Sequence, residues 1–262
     1  MIKRNNNLIK SKRSQVTIFV IVAVIIVAVI VTFFLLRNTK VVEVFLPQMP
    51  ASEVYMDKCV KDAVKEAVEI ILPQGGYLAP ELYKLNKDAK VAYLCYIQNY
   101  YSPCINQEPM LKDHTQEQIK SYITDKIETC FSSLKEEYIS RSYTVEMSGT
   151  NINVDLKPGQ VIVNIDKKIS FTRSEEVRNY NSFNVRVISP IYDLILIAQE
   201  IVNQEVKFCY FEYLGFSLLY PEYSIEKQDL NGNTKIYSVE DKQTKQKLDF
   251  AVRSCVIPPG LG

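Results

Sequence analysis

Six residues of this 262-residue chain carry side chains whose chemistry depends on a like partner: Cys59, Cys95, Cys104, Cys130, Cys209 and Cys255. No two stand in a C-x-x-C spacing, so the chain encodes neither a zinc ribbon nor a dithiol redox pair. An even number of cysteines points instead to disulfides formed in an oxidising compartment. His114 is the single histidine. Alone it cannot build a histidine metal cluster, and no motif marks it as a triad base; it reads as an exposed loop residue just before a helix cap. The adjacent acids Glu136-Glu137 and Glu175-Glu176 read as solvated surface, because a catalytic carboxylate pair converges across a cleft. Gln74-Gly75-Gly76-Tyr77 is the one candidate binding loop. It lacks the further glycines and the lysine of a phosphate loop, so its glycines read first as a helix C-terminal turn needing positive φ. Ligand binding is the alternative reading of the same loop. Seventeen tyrosines and no tryptophan include a concentration at Tyr77, Tyr83, Tyr93, Tyr96, Tyr100 and Tyr101. Such residues half-bury against a sheet or form a carbohydrate- or partner-binding surface. No convergent catalytic set, metal site or cofactor motif emerges, so the expectation is a protein that is not an enzyme and carries no cofactor.

The elements that position these residues begin with Val16 to Leu36, twenty-one residues without a charge. At about 1.5 Å per residue a helix of that length covers roughly 30 Å, the hydrocarbon thickness of a bilayer. Lys3, Arg4, Lys10, Lys12 and Arg13 precede the run with no acid among them, and only Arg37 and Lys40 follow before Glu43. Clustered Lys and Arg stay cytoplasmic, which predicts the N-terminus inside and the remainder outside. The run exceeds the apolar region of a secretory signal and ends in Phe33-Phe34-Leu35-Leu36-Arg37 rather than a small-residue cleavage site. Removing those seven basic residues from the chain's 31 leaves 24 against 30 acids, a net charge of −6 from residue 41 onward. A mildly acidic domain repels phosphate backbones and excludes a nucleic-acid partner.

Pro47 and Pro50 break the anchor helix and make 46–51 a hinge. Ser52 is a candidate N-cap for a helix whose Met56, Val60, Ala63, Val64, Ala67, Val68 and Ile71 form one face. Gly76-Tyr77-Leu78 is expected to open a short strand, and residues 90–98 to form another. A helix over 116–139 is expected behind a Thr115/Gln118 capping box. From about residue 141 the period changes to two, and the alternations at Ile152–Leu156, Val161–Ile165 and Phe183–Val187 predict an antiparallel meander with one buried face. Ile191 to Phe208 reads as a helix packed on it. More β-pattern follows over 223–250 with a hairpin turn at Asn231-Gly232, and Pro258-Pro259-Gly260 reads as an exposed tail. Six cysteines permit fifteen connectivities. The preferred set joins Cys59 to Cys130 through two apolar helix faces. It joins Cys95 to Cys104 across a strand end and its turn, and Cys209 to Cys255 from the late helix to the last strand.

The segment Lys12-Arg13-Ser14-Gln15-Val16-Thr17-Ile18-Phe19 resembles the N-termini of uncharacterised single-span surface proteins of small-genome archaea. The Cys59 helix leading into Gln74-Gly75-Gly76-Tyr77, the Cys130 helix, the meander and the late helix resemble them too. The resemblance implies location and architecture and brings no activity with it. The same N-terminus is similar to archaeal type IV pilin precursors, which implies a candidate processing site between Ser14 and Gln15. Here Ser14 stands where Gly or Ala is usual, and Phe19 replaces a frequent acid. The expected architecture is α+β: a basic cytoplasmic head at 1–14, a long N-terminal transmembrane helix within 15–46, a mainly helical ectodomain part at 47–140 and an antiparallel β part with one packed helix at 141–262. About three helices and one antiparallel sheet make up the ectodomain. The expected role is a single-pass, membrane-anchored extracytoplasmic surface protein, structural or for recognition. A pilin-like filament subunit and a cell-envelope hydrolase are the alternatives. The expected partners are membrane lipid along 16–36, and a second copy or another surface protein.

Overall fold

The computed structural model describes residues 20–31 and 51–255. The basic head, the Ser14/Gln15 position, the ends of the apolar run, most of the hinge and the Pro258-Pro259-Gly260 tail lie outside the described residues. The chain divides into two units, Met1–Met49 and Pro50–Gly262. In the first, residues 20–31 form helix α1, apolar on every side and exposed throughout. Among the described residues no helix is long and apolar enough to cross a membrane.

The second unit is a mixed α+β fold. In chain order it contains α2 (Ala51–Ile71), a 3-10 turn (Leu72–Gln74), β1 (Tyr83–Asn86), β2 (Ala89–Tyr96), β3 (Ile105–Asn106) and α3 (Leu111–Ser140). There follow β4 (Thr144–Lys157), β5 (Gln160–Arg173), β6 (Glu176–Ile188), α4 (Ile191–Phe208), α5 (Tyr213–Leu219), β7 (Tyr223–Leu230), β8 (Thr234–Asp241) and β9 (Lys247–Arg253). The period-two region is the antiparallel sheet β4-β5-β6, whose inward residues Val154, Val163 and Val185 share a register row. Helices α2 and α3 cover that face, because the apolar stripe from Met56 to Ile71 and the stripe Ile119, Ile123, Ile127, Phe131 are buried. At roughly 1.5–3 kcal/mol for each aliphatic side chain removed from water, this sandwich dominates the fold's stability.

A second sheet runs β1-β2-β9-β8-β7, with β3 added beside β2. The two sheets replace the single one expected. Within the second, β2 and β9 pair in parallel, so the mainly helical and mainly β stretches of sequence share one sheet. Helix α4 packs into the same core: Leu194, Ile195, Ala198 and Ile201 are fully buried. It spans the residues expected, whereas α5 brings the α-helices among the described residues of this unit to four rather than three.

Three local expectations are corrected. Helix α2 begins at Ala51, so Ser52 is a buried helical residue and not an N-cap. Helix α3 begins at Leu111, which places Thr115 inside it, its hydroxyl donating to the Leu111 carbonyl at 2.8 Å. No strand forms at Gly76-Tyr77-Leu78.

Candidate functional site

The candidate binding loop is built by the end of α2. After Ile71 the helix tightens through Leu72–Gln74, and Gly75 and Gly76 turn the chain with φ of 71° and 93°. The Gly76 amide donates to the Ile71 carbonyl at 3.1 Å, the closing bond of a Schellman turn. A Cβ on Gly76 would stand 2.9 Å from Thr115 Oγ1 and 3.2 Å from Leu111 Cδ1, so the turn fits against α3 only as glycine. Gln74 Nε2 donates to the carbonyls of Ile70 and Leu78, and the Leu78 backbone amide donates to Gln118 Oε1 at 2.9 Å. Gln74, Gly75 and Gly76 are therefore spent on the turn itself. Tyr77 alone reaches a cleft.

That cleft holds about 360 Å³ and is lined by Tyr77, Glu81, Tyr93, Gln107, His114 and Gln118, among others. The Tyr77 ring lies 4.1 Å from the His114 ring, centroid to centroid. Its hydroxyl donates to Glu108 Oε2 at 3.1 Å, and His114 Nδ1 approaches the same oxygen at 3.3 Å. Glu108 is placed by its own amide, which donates to Asn106 Oδ1 at 2.9 Å. Burial lowers the His114 pKa, and the Glu108 carboxylate opposes the shift. Burial and then Glu108 raise the Tyr77 phenol well above its ordinary range. The neutral imidazole with its proton on Nδ1 satisfies Glu108 and leaves a lone pair on Nε2. That Nε2 is sealed from solvent and has no hydrogen-bond partner.

His114 is thus not the exposed loop residue expected. Because α3 starts four residues before Thr115, His114 falls in the first helical turn and is half-buried against Tyr77. Sequence gave one signal for this cluster, the tyrosine following Gly75-Gly76. Glu108 had none. Of the other clustered tyrosines, Tyr93 is buried with its hydroxyl on Thr234 Oγ1, Tyr83 lies under the Lys90 ammonium, and Tyr96 and Tyr100 both lie against the Arg253 guanidinium. Only Tyr101 stands fully in solvent.

A larger cavity, about 930 Å³, opens between the β1–β2 turn and the outer face of β7-β8-β9. Glu226, Ser238 and Asp249 share one register row there. Asp249 accepts from Ser238 at 2.6 Å, and burial raises its carboxyl pKa against the opposing pull of Ser238 and Lys247. Lys247 Nζ sits 3.7 Å from Asp249 and 3.9 Å from Glu226. A lysine between the two carboxylates makes an ion-pair network, not a free acid and a free base. The row arises from pairing between strands, so no local sequence pattern marks it.

The described cysteines are all paired: Cys59–Cys130, Cys95–Cys104 and Cys209–Cys255, with Cα separations of 6.3, 5.4 and 5.6 Å. Among the described residues no group of three or more His, Cys, Asp or Glu could hold a metal. Comparison with protein-family models, curated proteins and solved structures finds no match to this chain.

Proposed function

We propose that this chain is a single-pass, membrane-anchored surface protein. Its domain stands outside the cell and serves a structural or recognition role without catalysis. One association carries the reading: an uncharged twenty-one-residue run behind a basic head is joined to a domain whose six cysteines are all in disulfides. Helix α1, apolar on every side, supports it, since such a surface needs lipid or protein around it. The two clefts support the absence of catalysis, one by its sealed imidazole and the other by its lysine-bridged carboxylates. Protease added to intact cells is expected to digest the domain, with non-reducing peptide mapping showing the three bridges. A domain protected until lysis, or one with free thiols, overturns the reading.

A pilin-like filament subunit is the second reading, favoured by Gln15 opening a smooth, β-branched apolar run without Pro or Gly. Sequencing the N-terminus of protein from native membranes separates the two. Retention of Met1 to Ser14 is expected, and mature chains beginning at Gln15 would put the filament first.

A further inference from the structure

Helix α5 is anomalous. It is seven residues long and contains no buried residue. Phe216 turns inward, 5.6 Å from the Phe211 ring, and Tyr213 is partly buried against the core. Leu214, Leu218 and Leu219 stand 62%, 83% and 77% exposed. Lys227 Nζ lies 5.6 Å and 5.7 Å from the centroids of the Tyr210 and Tyr213 rings, so Tyr210 adjoins the start of α5. Phe208 and Tyr210, each more than a third exposed, carry the apolar surface back to the end of α4. Scattered apolar residues on a surface need no explanation, but a contiguous patch marks a contact.

A disulfide brings one segment of the chain to the edge of this patch. Between Phe208 and Tyr210 stands Cys209, bridged to Cys255 with the Cα atoms 5.6 Å apart. Ser254 is pinned just before the bridge: its amide donates to the Asn233 carbonyl and its hydroxyl to the Glu205 carbonyl, each at 3.4 Å. The chain therefore enters residue 256 from a fixed point between two exposed aromatic residues of the patch. Val256-Ile257-Pro258-Pro259-Gly260-Leu261-Gly262 follows, seven residues without a charged side chain. Two successive prolines favour the extended polyproline conformation, which at about 3.1 Å per residue gives the segment a reach of roughly 20 Å. Seven helical residues cover only about 10 Å, so the segment is long enough to run the length of α5. Proline-bearing extended segments dock on aromatic-lined surfaces at a small entropy cost, and Phe208, Tyr210 and Tyr220 are the exposed aromatic residues here. The tether selects this occupant over a free partner, because a short link holds the segment at an effective concentration on the order of millimolar. Lys207, Glu212 and Lys227 border the patch and already have partners in the Phe208 ring, the Tyr210 hydroxyl and Asp229. An uncharged segment leaves those pairings in place.

We infer that residues 256–262 fold back over α5, Phe208 and Tyr210 of their own chain, as an apolar strap anchored at the Cys209–Cys255 bridge. The test uses full-length protein in native membranes, with photoreactive benzoylphenylalanine in place of Leu218. Irradiation is expected to join that position to a residue between Val256 and Gly262 in a species of single-chain mass, with the linked peptides identified by mass spectrometry. Ile257→Asp combined with Leu261→Asp should lower the yield of that link about tenfold, because a docked carboxylate would lose its water. Ile257→Leu combined with Leu261→Ile should keep it, since both side chains stay apolar and of the same volume. The aspartates leave the tether intact, so a yield they do not change would mean nearness without contact and overturns the proposal. Mapping the three disulfides in each variant shows that it has folded. Linkage to a second copy, to lipid, to a different protein or to nothing also overturns it.

Discussion

Two tyrosine–glutamate hydrogen bonds of this domain lie at least partly below its surface, and the clusters around them acquire opposite characters. In one, Glu205 of α4 is fully buried and accepts from Tyr237, while Lys235 Nζ lies 2.7 Å from each carboxylate oxygen. The same lysine donates to the Cys209 carbonyl, beside the Cys209–Cys255 bridge. In the other, Glu108 accepts from Tyr77 and its third member is His114. Lysine brings a permanent charge and three donors, so every strong site in the first cluster finds a partner. Histidine brings a charge that depends on pH, and here one of its nitrogens has no hydrogen-bond partner. The first cluster is a fixed joint between α4 and β8. The second is a joint whose charge state responds to its surroundings.

Breaking the first joint should cost most. Glu205→Ala leaves Lys235, only 13% exposed, without its counter-charge in an apolar setting. Loss of one partner of a buried pair costs about 3–5 kcal/mol. In a domain of this size that lowers the thermal midpoint by roughly 6–20 °C. Replacing both partners, Glu205→Leu with Lys235→Met, should recover most of the loss, because an apolar pair avoids the desolvation penalty. Calorimetry of the single and double variants checks this. A double variant as unstable as Glu205→Ala would mean that the cluster's net worth had been misjudged.

A smaller loss is expected at the turn that aims Tyr77 into the second cluster. Gly76→Ala combines a φ of 93° with a Cβ 2.9 Å from Thr115 Oγ1, and strain of this kind costs about 1–3 kcal/mol. Gly159 also has positive φ, but nothing lies within 4 Å of its Cβ position. Gly159→Asn should therefore be tolerated, since asparagine accepts the left-handed conformation. Equal losses at the two glycines would show that backbone strain alone, without the close approach to α3, sets the cost.

The same contrast explains what was legible in the sequence. Ile191–Phe208 declares its helix because its apolar residues recur at helical spacing, and the face they form is the buried one. The three bridges are the pairs preferred from cysteine position, since helix faces and a short loop bring their members together. The parallel pairing of β2 with β9 was hidden, because the apolar run of β2, buried at five successive residues, records neither its partner nor its direction. Helix α5 was hidden because Tyr-Leu-Gly-Phe-Ser-Leu-Leu is short, glycine-bearing and apolar on both sides. The Tyr77 cluster was hidden by a plausible cap. Thr115 with Gln118 has the capping spacing, but Leu111 is buried and draws the helix start back by five residues, from 116 to 111. That shift alone moves His114 from loop to joint. Glu205 gave no sign, because an acid among apolar residues looks like the solvent edge of a helix until β8 supplies Lys235.

The smallest expected effect is the most direct separation of the two joints. Burial holds the native His114 pKa below its ordinary value near 6.5, with Glu108 opposing. As pH falls below about 6.5 the unfolded chain takes up a proton that the native state still refuses. Stability then rises with pH across that window, and acidification removes it until the native imidazole also protonates. Tyr77 stays neutral throughout, because its phenol is raised. Asp249 acts lower and with the opposite sign: its raised pKa makes the native state bind a proton first, which favours the fold as pH drops into the carboxylate range. Chemical denaturation at a series of pH values between 7 and 5 should show the midpoint declining in the parent protein. It should be flatter in His114→Gln, which keeps a donor for Glu108 and removes the titrating ring. An unchanged decline in His114→Gln would assign the pH dependence elsewhere and make the Tyr77 cluster as inert as that of Glu205.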